Sequence, residues 1–344
     1  MKPIAIDLFS GCGGLSQGLK QAGFQVQVAV EIDTETARTY KLNHPETRII
    51  NKDIREVGKA DISKEVNGKE IDLIAGCPPC QGFSKIGNLN KKNGYSDSRN
   101  ELVIEFFRIV ELIKPNFIML ENVPGLSQYS LFNKIINDLS DLGYYLDYKI
   151  VDIANYGVPQ RRKRLVLLGS KLGPIAIPQN LGIPSKTVRD FIYQLSSVKD
   201  SNDPIHKIHS SHGEKVKKII SMIPKNGGSR SELPKEYWLE CHKKSDIGYS
   251  DVYGRLSWDK VSSTITGGCL NPSKGRFLHP EENRSITARE AALLQTFPKD
   301  YQFSTTAKGK LAQMIGNAFP PKFSELQGKY IMELIDQYKG TSLI

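Results

Sequence analysis

Short apolar runs, several of them closed by a glycine or a carboxylate, mark the first half of the chain. Residues 4–9, 26–30, 49–50, 71–75, 116–120, 145–153 and 165–169 have the length and composition of strands, while 15–22, 101–113 and 131–142 carry helical spacing. The run at 71–75, Ile-Asp-Leu-Ile-Ala, reads as a buried parallel strand, and in open α/β sheets ligands bind at the carboxyl rim of such strands. Beyond residue 173 three prolines interrupt the pattern and predict a domain boundary. A helix is expected at 187–195. The chain beyond it is polar and loop-rich until Thr287, which begins a capping-box helix through Gln295. Helices at 307–314 and 322–338 close the chain.

The candidate chemistry lies where these runs end. Gly76-Cys77-Pro78-Pro79-Cys80 cannot be helical, because two prolines fix φ and remove donors; Cys80 therefore stands on a stiff loop past a strand. Cys77 and Cys80 can be read as a redox pair, half a zinc site, or a lone nucleophile beside a neighbour. Ser10-Gly11-Cys12-Gly13-Gly14 is a turn into a helix, and Glu31 ends the next strand about 20 residues on. A glycine turn with acidic strand ends (Glu31, Asp53) suits an adenosine-containing cofactor. The GxGxxG spacing of dinucleotide folds is missing, which disfavours NAD. Residues 85–99 form a long polar loop next to Cys80, expected to act as a lid. Glu121 ends one strand, and Arg161-Arg162-Lys163-Arg164 runs into another.

Composition adds a polyanionic partner. The 344 residues carry a formal net charge of +10. Between 171 and 280 there are 17 Lys and Arg against 10 Asp and Glu, so +7 of the +10 falls in under a third of the chain, pointing to a nucleic-acid-facing region. Five cysteines without framework spacing predict reduced thiols in a cytoplasm, Cys241 and Cys269 among them as buried small hydrophobes. The start, Met-Lys-Pro-Ile-Ala, is too short and polar for a signal peptide, and no run is long enough to span a membrane. His206, His209 and His212 invite a metal, but without a Cys or carboxylate shell no metal site is expected.

In order along the chain, Asp7-Leu-Phe-Ser-Gly-Cys-Gly-Gly14, Gly76-Cys-Pro-Pro-Cys-Gln-Gly-Phe-Ser84, Asp97-Ser-Arg99, Glu121-Asn-Val123, Gln160-Arg-Arg-Lys-Arg164, Arg289-Glu-Ala-Ala-Leu-Leu-Gln-Thr-Phe-Pro298 and Gly316-Asn-Ala-Phe-Pro-Pro321 resemble the DNA cytosine 5-methyltransferases of bacterial restriction-modification systems. The resemblance covers nearly the whole chain; residues 171–254 match nothing in it, as befits a variable target-recognition region. It implies a mixed doubly wound α/β sheet, Rossmann-like and dependent on S-adenosyl-L-methionine, with a smaller loop-rich target-recognition domain. Segments are expected at 1–185 (catalytic and cofactor-binding), 186–305 (target recognition with a hinge) and 306–344 (return to the catalytic domain).

By the same resemblance Cys80 is the nucleophile, Glu121 the acid at the base's N3, and Arg162 and Arg164 hold the base. Phe9, Gly11, Gly13, Gly14, Glu31, Ile32, Asp53, Ile54, Pro79 and Asn317 would meet the cofactor. Gln81, Ser84, Arg99 and Thr264 would meet DNA. Where some relatives carry Trp after the ribose carboxylate, this chain has Ile32, which weakens stacking on adenine. The implied partners are double-stranded DNA and a cognate restriction endonuclease, with no membrane and no metal. An RNA cytosine methyltransferase would share Cys80 and the cofactor site, yet the basic region fits duplex reading better. A non-catalytic DNA-binding protein would not need Cys80, Glu121 and Arg164.

Overall fold

The computed structural model describes residues 2–79, 102–179, 181–238, 240 and 251–340. Two compact units emerge, one built from residues 1–153, 163–182 and 319–344, the other from 154–162 and 183–318.

The first unit is a seven-stranded mixed sheet in the order β3-β2-β1-β4-β5-β7-β6. Its strands are β1 (Ile4–Leu8), β2 (Gln25–Val30), β3 (Arg48–Ile50), β4 (Leu73–Gly76), β5 (Phe117–Asn122), β6 (Tyr145–Asp152) and β7 (Lys163–Ser170). β1 to β5 are parallel; β7 pairs antiparallel with both β5 and β6. Chain order reverses between β1 and β4, the switch point at which doubly wound sheets bind ligands. The helices are α1 (Gly14–Ala22), α2 (Thr34–Asn43), α3 (Lys59–Val66), α4 (Leu102–Ile113), α5 (Ser130–Asp141) and, at the chain's end, α10 (Pro321–Gly340).

Strand periodicity sorts the layers. Ile6, Leu8, Val28, Val30, Ile74, Ile118 and Leu120 point to one face and join Ile62, Phe106 and Phe132 from α3, α4 and α5 in one buried cluster. Asp7, alternating with Ile6 and Leu8, meets Ser16 of α1 instead. α1 packs on α10 at a distance only glycine permits: a Cβ on Gly18 would lie 2.3 Å from the Pro321 carbonyl oxygen. Ser324 Oγ of α10 donates to the Leu15 carbonyl at 2.8 Å.

The second unit holds α6 (Val188–Ile192), α7 (Glu214–Met222), α8 (Ala288–Leu294) and α9 (Lys308–Asn317), joined by long irregular segments. Buried polar side chains replace sheet ladders as its framework. Arg255, fully buried, donates to the carbonyls of Ile220, Ile223, His279 and Glu282. Burial alone would raise the pKa of Glu290, but the Arg284 guanidinium on both its oxygens holds it at about 2.

The expected divisions at 185/186 and 305/306 differ from these units at residues 183–185 and, more substantially, in two places, residues 154–162 and the segment 306–318 that holds α9. Both belong with the second unit, for local reasons. Arg161 N donates to Ser262 O at 2.9 Å, and Gln160 Nε2 donates to Gln295 Oε1 at 2.5 Å. Gln295 Nε2 in turn donates to Ile315 O of α9 at 2.6 Å.

Candidate active site

Strand register places the candidate groups of the first unit. Leu8 pairs with Val30 and with Gly76, and Gly76 pairs with Leu120. Phe9, Glu31 and Cys77, each one position further along, therefore leave the sheet from one rim, and Glu121 stands at that same rim as the next-to-last residue of β5. β7 arrives antiparallel, with Leu165 opposite Asn122 and Val166 opposite Glu121, so Arg164 enters at that rim too. A Cβ on Gly76 would lie 2.5 Å from Leu8 O and 3.0 Å from the Phe106 ring; the close approach of β1, β4 and α4 at the rim requires glycine there.

The turn after β1 is conformationally demanding. Phe9, Gly11 and Gly13 all have positive φ, at 61°, 55° and 96°. The left-handed region is unusual for an aromatic residue, and such strain persists where surrounding structure enforces it, often at ligand sites. Glu31 is one enforcer: its Oε2 accepts from Gly11 N at 2.9 Å and its Oε1 from Asp33 N at 2.8 Å. The carboxylate is thus fixed against the turn. Ile32 is 63% exposed, an apolar surface beside that carboxylate. Asn51 Nδ2 ties the segment down by donating to the carbonyls of Glu31 and Ile32.

Asp53 and Ile54 are more committed than their sequence positions suggest. Asp53 receives Arg55 through its Nε, Nη2 and backbone N–H, and these bonds lower its pKa. The Ile54 side chain lies in the core cluster, so only its backbone can meet a ligand.

At the Cys80 side, Cys77 is half-buried, Pro78 buried and Pro79 exposed. Asn122 Nδ2 donates to Pro78 O at 3.0 Å while its Oδ1 accepts from Val123 N at 2.8 Å. The end of β5 thereby holds the lead-in to Cys80. Cys80 itself, Gln81, Ser84, Arg99 and the expected lid at 85–99 lie outside the described residues, as does Cys241. Glu121 and Arg164 come together: Glu121 Oε1 is buried 2.5 Å from Arg164 Nε, a charge contact without an aligned hydrogen bond.

The remaining candidates belong to the second unit. Arg162, expected to hold the base beside Arg164, is 6% exposed and donates through Nη1 to Ile265 O and Gly316 O; it ties backbone segments together. Thr264 Oγ1 donates to Arg161 O at 2.7 Å. Asn317 is exposed at the end of α9. His206 bonds Thr287 Oγ1 and Ser196 O, and His209 bonds Ser210 O. Among the described residues no cluster of His, Cys, Asp or Glu has the geometry to hold a metal, and no helix is long and apolar enough to cross a membrane.

Two features were invisible to sequence reasoning. Asn122 is one, since its neighbour Glu121 drew the functional reading. The other is Asp7, which is buried with Oδ2 accepting from Ser16 Oγ at 2.6 Å; that hydroxyl also meets Tyr40 OH at 2.7 Å. Burial pushes the Asp7 carboxyl up to about 7. Burial likewise pushes the Cys12 and Cys269 thiols up to about 12, which leaves them inert as nucleophiles.

A mixed doubly wound sheet with a glycine turn, a pinned carboxylate and a Glu–Arg pair on one rim defines a Rossmann-like framework. Residues 4–333 match the family described as C-5 cytosine-specific DNA methylase, and the chain belongs to that family. It is 37% identical to the Type II methylase M.HgiDII of Herpetosiphon aurantiacus, over 96% of this chain and 95% of that protein. It is 34% identical to the Type II methyltransferase M.Eco47II of Escherichia coli, over 96% of this chain and 79% of the relative. Among solved structures, a prophage-encoded DNA modification methyltransferase of E. coli superposes with a TM-score of 0.74 at 27% identity, covering 97% of this chain and 99% of that one. The fold also recurs in DNMT2 of Spodoptera frugiperda, with a TM-score of 0.65 at 20% identity over 96% and 99% of the two chains. The protein is a cytosine-C5 DNA methyltransferase.

Proposed function

We propose that this enzyme uses S-adenosyl-L-methionine to methylate carbon 5 of a cytosine flipped out of a specific duplex sequence, through a covalent Cys80 adduct. Its setting is the cytoplasm, where it protects host DNA from a paired restriction endonuclease. The observation that carries this reading is the shared rim, where the glycine turn with Glu31, the Pro78–Pro79 lead-in to Cys80, and the Glu121–Arg164 pair all leave one edge of the sheet.

The residues fit the cofactor. Among the described residues, none would lie within 4 Å of a Cβ added to Gly11. Glu31, held by two backbone N–H groups, suits ribose hydroxyls, and exposed Ile32 suits an adenine face. When bound, S-adenosyl-L-methionine supplies an electrophilic methyl group on a sulfonium. The chain's own residues do the rest. Cys80 thiolate adds to carbon 6, converting carbon 5 into an enamine-like nucleophile. Glu121 carries a proton to N3 through Oε2, with Oε1 fixed by Arg164, whose charge also stabilises the electron density building on the ring. After carbon 5 is methylated, with S-adenosyl-L-homocysteine as the by-product, the carbon-5 proton passes to water, the N3 proton returns to Glu121, and expulsion of the Cys80 thiolate restores the aromatic ring. Because carbon 6 is shielded within a duplex, the base must leave the stack.

Two experiments in sequence test this. Mapping 5-methylcytosine in DNA from cells expressing the protein should reveal one methylated sequence. A duplex of that sequence carrying 5-fluorocytosine at the target should then form a denaturant-stable complex, since fluorine cannot depart as a proton does. The trap should require S-adenosyl-L-methionine and vanish in Cys80→Ala. An active enzyme that forms no such complex does not use the covalent route.

A further inference from the structure

The strained turn after β1 is held from two sides, and only one of them involves a residue so far given a role. Glu31 grips the Gly11 N–H. Two residues further on, the Gly13 carbonyl accepts from Gln17 N at 2.8 Å, as a helix start requires, and also meets His44 Nε2 at 3.2 Å. His44 is fully buried at the carboxyl end of α2, and its Nδ1 lies 3.2 Å from Lys20 Nζ.

Those neighbours fix the proton on the ring. A lysine ammonium only donates, so Nδ1 must accept; a carbonyl only accepts, so Nε2 must donate. One neutral tautomer, Nε2–H, satisfies both. The doubly protonated ring would aim Nδ1–H at the Lys20 ammonium, and burial together with that charge lowers the His44 pKa to about 4. Glu46, 2.6 Å from Lys20 Nζ, holds the lysine in place from outside. The Tyr40 ring, one turn back on α2, packs 4.7 Å from the imidazole, and its hydroxyl meets Ser16 of α1. α2 thus touches the turn region at both ends. Asp33, its N-cap, orients Glu31 through its backbone N–H, and His44 reaches Gly13 from the other end.

We propose that His44 is a positioning residue for the cofactor: its Nε2–H, aimed by Lys20, clamps the Gly13 carbonyl and keeps the Phe9–Gly14 turn in its binding conformation before the cofactor arrives. The inference rests on the reading that this turn binds S-adenosyl-L-methionine. A turn with three positive-φ residues relaxes when a clamp is removed, and a ligand must then restore the order at the expense of affinity. His44 touches neither the base nor the reacting atoms, so its loss should act on cofactor binding and not on the chemical step.

The test compares full-length wild type, His44→Leu and His44→Gln by calorimetric titration with S-adenosyl-L-methionine and by steady-state kinetics. His44→Leu keeps apolar bulk but has no donor. His44→Gln carries an amide whose nitrogen can replace Nε2 and whose oxygen can accept from Lys20. The Leu variant should bind the cofactor about tenfold more weakly, the scale of one ordinary hydrogen bond. Its cofactor KM should rise in step while kcat and the KM for DNA hold, and Gln should recover most of the loss. A Leu variant that binds within twofold of wild type, or a Gln variant as weak as Leu, overturns the proposal. Nitrogen-15 spectra of the wild-type ring keep it testable without any substitution. They should show Nε2 protonated and Nδ1 bare at neutral pH, and an Nδ1–H or charged ring would refute the clamp. If wild type itself fails to bind S-adenosyl-L-methionine, the cofactor reading falls, an outcome separate from any difference among variants.

Discussion

At the scale of single residues, position in the sequence and commitment in the structure are different things. Cys80, Glu121 and Arg164 stand out in the sequence as candidates because each is a reactive or charged group in a motif at a predicted strand end. Asn122, Asp7 and His44 were not, because their work is done through contacts with Pro78, Ser16 and Gly13 that only folding creates. Arg162 shows the converse, a motif arginine whose Nη1 is occupied by two carbonyls. Two predictions belong here. Glu121→Gln keeps the side chain's shape but removes its acid; single-turnover methylation should slow by roughly 10²-fold with cofactor affinity unchanged, and an unaltered rate would make Glu121 a rim residue only. Asp7 bears on stability. Its pKa is raised from 3.8 to about 7 by burial, so between those values the unfolded chain has released a proton that the native state retains. Stability from this group is complete below pH 3.8 and is lost as pH rises toward 7, at about 1.4 kcal/mol per pH unit at most. Asp7→Asn, which cannot ionise, should flatten the fall in stability over pH 4–7 measured by denaturant unfolding. Parallel profiles for the two proteins would show that Asp7 does not titrate in this range.

At the scale of elements, apolar periodicity located the strands of the sheet to within a residue or two, along with α1, α4, α5 and the closing helix. It passed over α2, and the reason is physical. That helix buries Thr36, Ala37, Thr39 and Tyr40, a face of two threonines, an alanine and a tyrosine that carries little hydrophobic pattern. Nor could periodicity show that β7 inserts antiparallel between β5 and β6, since strand order depends on pairings distant in sequence. The α1–α10 contact makes a prediction in which two effects oppose each other. Replacing glycine by alanine inside a helix ordinarily stabilises by about 1 kcal/mol. At Gly18 the new Cβ would lie 2.3 Å from Pro321 O and 2.5 Å from Ser324 Cβ, and overpacking against backbone costs about 1–3 kcal/mol. Overpacking should win, so Gly18→Ala should lower the melting temperature; a rise would mean that α10 can shift at little cost.

At the scale of the whole molecule, an excess of positive charge marks residues 171–280, the region proposed to read DNA. The same feature that marks it, charge without periodicity, is why its internal structure could not be read. Beside a small apolar cluster around Ile220 and Leu278, its framework includes buried arginines on carbonyls, as at Arg255, and those pairings leave no local signature. Target specificity is expected to reside in residues 186–283, with phosphate contacts setting register and a few polar side chains reading base edges. Lys215, Lys217 and Lys218 lie exposed on α7, and Lys217 is already paired with Glu214 at 2.7 Å. Neutralising Lys215 or Lys218 should weaken binding evenly across sequences and reduce the salt slope by about one unit each, whereas Lys217 should contribute less. The decisive experiment exchanges residues 186–283 for the matching segment of a relative with a different methylated sequence. Several links cross the graft's boundary, among them His206 with Thr287 Oγ1 and Arg162 with Ile265 O; a charged one joins Arg289 of α8 to Asp203 inside the segment. The donor must therefore supply a carboxylate at that position, or Asp203 must be restored. With that partner kept, methylation should move to the donor's sequence while Cys80 chemistry stays with the host. A folded, active chimera that still methylates the host's own sequence would place recognition outside 186–283.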